Sequence, residues 1–184
     1  MRARAAAAAL LSALGLLTAC GIPLDDAPRP AGATADAGPA ADVPAGTASE
    51  RICLVRDGKL TPVSRPVRPP LAVAGHLDLL LDGPTRDEQN RGYRSALAGT
   101  TLVTGAAQAG GLVTVETGAV DAQPGRTDDV LAFGQVVCTL GSRLPVGTVV
   151  FVHDGNRVRV PRGDGSLSSG PLTIADYAEL LAEE

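Results

Sequence analysis

From Val130 to Leu140 the chain is apolar or small at every position except Gln135 and Thr139, which leaves no wet face wide enough for a surface helix. A helix of that kind lies inside its molecule, so the remainder of the 184 residues has to wrap around it. Asp128 and Asp129 stand where a helix N-terminus favours negative charge. Asp128, Gln135, Thr139 and Ser142 line up as one narrow polar stripe. Cys138, grouped with Val130, Leu131, Gly134 and Val137, is expected on the face opposite that stripe, looking towards a sheet.

The sheet has to come from the flanking segments. Ile52-Cys53-Leu54-Val55 reads as a strand, Asp57-Gly58 as a two-residue hairpin turn and Leu60 to Val63 as the returning strand. Pro62 places that return at a sheet edge, because proline cannot donate to a ladder. Arg65 to Pro69 reads as an extended linker, after which Pro70 opens a helix to about Leu81 with Val73, Leu77, Leu80 and Leu81 as its buried stripe. Gly83 and Pro84 end that helix, and Thr85 with Glu88 forms a capping box for a short second one, which Gly92 stops. Thr100 to Ala106 and Leu112 to Thr117 read as strands about a Gly110-Gly111 turn, followed by a loop through Pro124-Gly125. Val146 to Val152 is the strongest β run, turned by Asp154-Gly155-Asn156 into Val158 to Val160. A last helix over 173–182 is capped by Thr173 and Asp176 and directs Ile174, Tyr177, Ala178 and Leu181 inwards. The class is α+β: one small domain over 50–184, with a twisted mixed sheet and helices packed on it.

What precedes the domain is of another kind. Arg2 and Arg4, the apolar run from Ala5 to Leu17 and the lipobox Leu17-Thr18-Ala19-Cys20 have the layout of a lipoprotein signal over 1–19. That run is too short for a bilayer core, which takes ~20 apolar residues. Cys20 is then expected to carry a diacylglyceryl group whose two chains suffice for stable anchoring at the outer face of the cell membrane. Residues 20–49, rich in Pro, Ala and Gly, cannot bury enough surface to offset their ordering entropy and read as a disordered tether.

With Cys20 lipidated, two of the three cysteines remain, Cys53 and Cys138. Outside the cytoplasm a leftover pair suggests one disulfide; two buried free thiols or a reactive cysteine are the alternatives. The formal charge of −4, which loss of Arg2 and Arg4 makes more negative, and the absence of Trp argue against nucleic acid and leave few stacking platforms for sugars. Arg51, Arg56, Lys59, Arg65 and Arg68 make the first hairpin locally basic, as a solvated face or as a contact for anionic headgroups or wall polymers. Catalytic groups are scarce. His76, inside a predicted helix, and His153, at a strand end, have structural readings; no HExxH or Cys/His spacing marks a metal, and Ser166 to Ser169 lack a nucleophile elbow. Gly163-Asp164-Gly165 is short for a calcium loop and reads as a tight turn. No catalytic residue, metal or cofactor is expected.

Leu79-Leu80-Leu81-Asp82-Gly83-Pro84-Thr85, then Glu88, Gly92, Ser95-Ala96 and Gly99-Thr100, followed by Phe133 to Leu140 and Val149 to Gly155, resemble the GerMN domain of sporulation and spore-germination proteins, and that of actinobacterial lipoproteins. The resemblance covers about 50–160. It implies a small α/β domain without catalytic residues or cofactor, similar to ring-building modules of envelope machines and acting through contacts with an envelope protein or with itself. Its motif residues Gly83, Pro84, Thr85, Glu88, Gly92, Ser95, Gln135 and Thr139 are expected to be structural, the first four in chain reversal and capping. The expected function is that of a membrane-anchored, non-enzymatic scaffold or regulatory interaction module of the envelope, in wall remodelling, sporulation or signalling. The alternative is a binding module for an anionic wall polymer or small ligand.

Overall fold

The computed structural model describes residues 48–68, 71–119 and 127–183; the expected signal sequence, Cys20, the tether up to residue 47, Pro70 and the Pro124-Gly125 loop lie outside them. Elements follow in the order β1 (Ala48–Arg56), β2 (Lys59–Val67), α1 (Val73–Leu81), α2 (Arg86–Asn90), β3 (Val103–Ala109), β4 (Leu112–Thr117), α3 (Thr127–Gly141), β5 (Thr148–His153), β6 (Asn156–Arg157), β7 (Val160–Pro161), β8 (Leu167–Ser168) and a 3₁₀ helix (Ile174–Leu180). The α+β class is the one the sequence predicts. A mixed sheet of order β3-β4-β5-β6 has β4 and β5 parallel, joined through α3, with antiparallel strands at both edges. The hairpin β1-β2 and the short pair β7-β8 form sheets of their own.

Helix α3 is the central element. All of Val130 to Leu140 is buried, and the helix packs against β1, β2, α1, β5, β7 and the 3₁₀ helix. Phe133 meets Phe151 of β5 edge to face, with ring centroids 5.0 Å apart. Gly134 permits a close approach to the helix: a Cβ there would stand 2.9 Å from Leu60 Cδ1 and 3.0 Å from Tyr177 Cδ1.

The hairpin forms as expected, with Asp57 (φ 53°) and Gly58 (φ 75°) both left-handed, the geometry that matches strand twist in a two-residue turn. It is longer than the sequence suggests at both ends. β1 starts at Ala48, in what reads as tether, and β2 runs to Val67 through the supposed linker. Pairing supplies the order that composition does not: the antiparallel register holds from Ala48 opposite Val67 to Arg56 opposite Lys59.

Other boundaries move for similar reasons. α1 begins at Val73, and its stripe is rotated: Leu81 is 41% exposed, while His76 joins Val73, Leu77 and Leu80 in the interior. β3 begins at Val103, not Thr100, and extends to Ala109 because its partner β4 pairs that far. The return after Asp154-Gly155 pairs through the two residues of β6, and Val158 N–H still donates to Phe151 O (3.1 Å); Val160 and Pro161 then pair with β8. The last element is 3₁₀, with a non-helical Tyr177 (φ −124°) whose ring is fully buried. Ile174 and Ala178 point outwards there; Leu181 packs against the core as expected, and Leu180 joins it.

Candidate functional site

The polar motif residues fall into two groups: Gln135 and Thr139, buried on α3 against β1, and Thr85 with the buried Glu88 at the start of α2. Cys53, fully buried on β1, is held by α3 through three links: its N–H donates to Thr139 Oγ1 (2.9 Å), its C=O accepts from Gln135 Nε2 (3.0 Å), and its sulfur is bonded to Cys138. Positions 135, 138 and 139 lie one turn apart, so they share a helix face. The expectation that Cys138 looks away from the polar stripe is therefore corrected. The cause is the strand edge: the outward N–H and C=O of β1 are buried under α3, and unpaired they would cost roughly 1 to 3 kcal/mol each. Gln135 and Thr139, both 0% exposed, satisfy them. The same edge is closed elsewhere by Arg94, whose backbone exchanges two hydrogen bonds with Val55, and by His76 Nε2 and Ser142 Oγ at Arg51 O.

Gln135 also accepts from Ala96 N–H (2.6 Å), and Ser95 Oγ accepts from Leu97 N–H (3.2 Å), which fixes the loop after α2. Upstream, Gly83 (φ 73°) reverses the chain and Thr85 caps α2: Glu88 N–H donates to Thr85 Oγ1 while Glu88 Oε2 accepts from Thr85 N–H (2.7 Å). Gly92 (φ 84°) ends α2.

Glu88 has a second partner that sequence reading missed. Arg65 reaches in from β2 and donates to both Glu88 carboxylate oxygens, to Leu79 O (3.0 Å) and to Gly83 O (2.8 Å). Arg65 is 9% exposed, so it is removed from the basic face in which the sequence places it: a guanidinium with five donors is held where two helix ends present carbonyls and a carboxylate. Burial by itself would raise the Glu88 carboxyl pKa; the Arg65 hydrogen bond, with those of Thr85, outweighs it and holds the group below the ordinary range. A signal existed in Pro62 and Pro66, which alternate with residues of the opposite face and mark 65 as inward.

The exposed basic residues regroup. Arg56 donates to Tyr93 Oη (3.3 Å) and, like Arg91, lies over the Tyr93 ring at 5.3 and 5.6 Å from its centroid. An open cleft of about 660 Å³ beside the hairpin turn is lined by Arg56 and Lys59, and also by Asp57, Glu179 and Glu183. Gly163-Asp164-Gly165 is the tight turn expected, closed by Ser166 N–H to Asp164 Oδ1 (2.8 Å). Of the two histidines, His76 is fully buried. His153 stands at the end of β5 with Glu116 and Asp154, their ligating atoms all within 4.8 Å of one another. Motif spacing cannot reveal that trio, since Glu116 and His153 meet only through the parallel register that puts Glu116 opposite Val152.

These buried polar links, with sheet and helices around them, define a small α+β domain whose class is given by its relatives. The family model described as "Germane: Sporulation and spore germination" matches residues 39–159, and the chain belongs to that family. Among solved structures, the tandem GerMN domains of the sporulation protein GerM from Bacillus subtilis are similar in fold, with a TM-score of 0.52 at 14% identity over 76% of this chain. The chain spans about half of that one, 49% of its length. No curated protein matches.

Proposed function

We propose that this protein is a non-enzymatic interaction module of the cell envelope, held by a lipidated Cys20 at the outer face of the membrane. It serves as a scaffold or regulatory partner in wall remodelling, sporulation or envelope signalling. The observation that carries the reading is the fate of the motif residues: Thr85, Glu88, Gln135 and Thr139 all take partners within the chain. These side chains are thus spent on holding the fold, which supports a role carried by the surface they hold in place, as in a module that works through protein contacts. Cross-linking in cells followed by co-purification tests it, with Cys20→Ala as the mislocalised control. Capture of the same envelope protein by the anchored form alone is the expected result; recovery of wall polymer alone, or of nothing specific, overturns it.

A second reading, contact with an anionic wall polymer, is favoured by the Arg56-Tyr93-Arg91 cluster. It ranks lower because Asp57, Glu179 and Glu183 line the neighbouring cleft with the opposite sign. Retention on isolated wall that falls steeply with salt, and falls further in Arg56→Ala/Arg91→Ala, is its signature.

A further inference from the structure

We propose that Glu116, His153 and Asp154 form a binding site for a divalent transition-metal ion of the Zn²⁺ type. The two strands that carry it run parallel and end side by side: Glu116 is the penultimate residue of β4 and His153 the last of β5, with Asp154 opening the turn that follows. The carboxyl ends of parallel strands are where open sheets of this kind present ligand-binding groups.

The imidazole supplies the argument that two carboxylates alone would not. His153 Nδ1 stands 2.8 Å from Thr117 O, and a carbonyl oxygen only accepts, so Nδ1 carries the hydrogen. In the neutral ring Nε2 is then a bare lone pair. It faces not a donor but Asp154 Oδ2, 3.7 Å away, with Glu116 completing the group. In that tautomer the ring lone pair and the two carboxylates present three ligand atoms towards one point, the kind of set a divalent cation takes. A main-chain carbonyl on the remote ring nitrogen is also the arrangement that orients metal-ligating histidines.

Turn chemistry explains part of the group and leaves the rest. Glu116 Oε1 accepts from Asp154 N–H (2.8 Å), which ties the turn to β4 but uses one oxygen of the carboxylate. The Asp154 side chain, 88% exposed, is free to swing by the ångström or so that ligand distances of about 2.0 to 2.2 Å require. One imidazole and two carboxylates suit Zn²⁺ or Mn²⁺ over softer ions, and the remaining positions are open to water or to a donor from a partner.

The chain has two histidines, and this makes the test clean. The full-length protein, purified in mild detergent without a polyhistidine tag, is titrated with Zn²⁺ by calorimetry, and the histidine ring resonances are followed by NMR. The expected result is one ion per chain with a Kd on the order of 10 µM. The His153 Nε2 resonance shifts while those of the buried His76 stay in place. His153→Gln and Asp154→Asn each weaken binding about tenfold or more. Asn is chosen because Asp154 is left-handed (φ 49°), a conformation it tolerates. No saturable binding up to about 1 mM, unchanged affinity in both variants, or a response at His76 alone overturns the proposal. Should either variant fail to fold, the ring shifts of the wild-type protein decide by themselves.

Discussion

At the scale of single residues, the pairing of Arg65 with Glu88 sets the chemistry at the start of α2. Both side chains are nearly withdrawn from solvent, at 11% and 5% exposure, so removing one charge leaves the other uncompensated where water cannot reach it. Glu88→Gln is expected to cost about 3 kcal/mol in urea unfolding, more than the loss of a helix cap alone would. Acid separates the two contributions. The folded Glu88 pKa lies below the unfolded value of about 4.5, so its stabilisation is complete above that pH and disappears as pH falls through the folded value. The stability gap between wild type and Glu88→Gln should therefore be constant from neutrality down to about pH 5 and narrow below 4.5. A gap independent of pH throughout the acid range would assign the effect to packing. Sequence reading found Glu88 through its capping box but missed Arg65, because capping is written in four consecutive residues and the ion pair depends on how β2 lies over α1 and α2.

At the scale of elements, α3 is held by contacts of opposite kinds: links that join it to β1 and a space that has to remain empty. Gly134→Ala would gain up to ~1 kcal/mol in helix propensity. The new methyl, however, meets Leu60 and the ring of Tyr177, which is buried and anchored by its hydroxyl to Pro161 O at 2.7 Å. Overpacking of that kind costs ~1 to 3 kcal/mol, so net destabilisation is expected, with a lowered thermal midpoint as the readout. The link from Cys53 to Cys138 acts on the unfolded chain instead. The two are 85 residues apart in sequence, and Cys53→Ala/Cys138→Ala is expected to lose about 4 kcal/mol while keeping its circular dichroism, since Gln135 and Thr139 still hold β1. An equal loss from Gln135→Ala alone would show that the polar links matter as much as the covalent one. Burial of α3 was legible in its composition. That Cys138 shares a side with Gln135 and Thr139 was not, because nothing in the sequence shows the strand edge with unpaired backbone groups that is set against all three.

At the scale of the whole molecule, the hairpin presents its two edges differently. The β1 edge is closed by α1, α3 and the Val55-Arg94 bridge. Among the described residues, the outward edge of β2 is covered at one point, where Ala182 N–H donates to Leu60 O in a parallel bridge with Leu181. Beyond it the outward positions are 62, 64 and 66, since in an antiparallel ladder alternate residues face away from the partner. Two of those three are proline, Pro62 and Pro66, which offer no N–H to an incoming strand. The arrangement leaves Ser64 as an isolated donor, too little to template pairing with a second chain, and so guards against edge-to-edge association. Proline at these positions lets this stretch of strand, open among the described residues, stay clear of its own copies. Restoring the donors tests this directly: Pro62→Thr/Pro66→Thr should fold with the same disulfide and the same spectrum. In sedimentation velocity it should form larger species than the wild-type chain as concentration rises, with added amyloid-dye binding on prolonged incubation. A double variant whose sedimentation matches wild type across that range would mean the edge is protected by something other than its prolines.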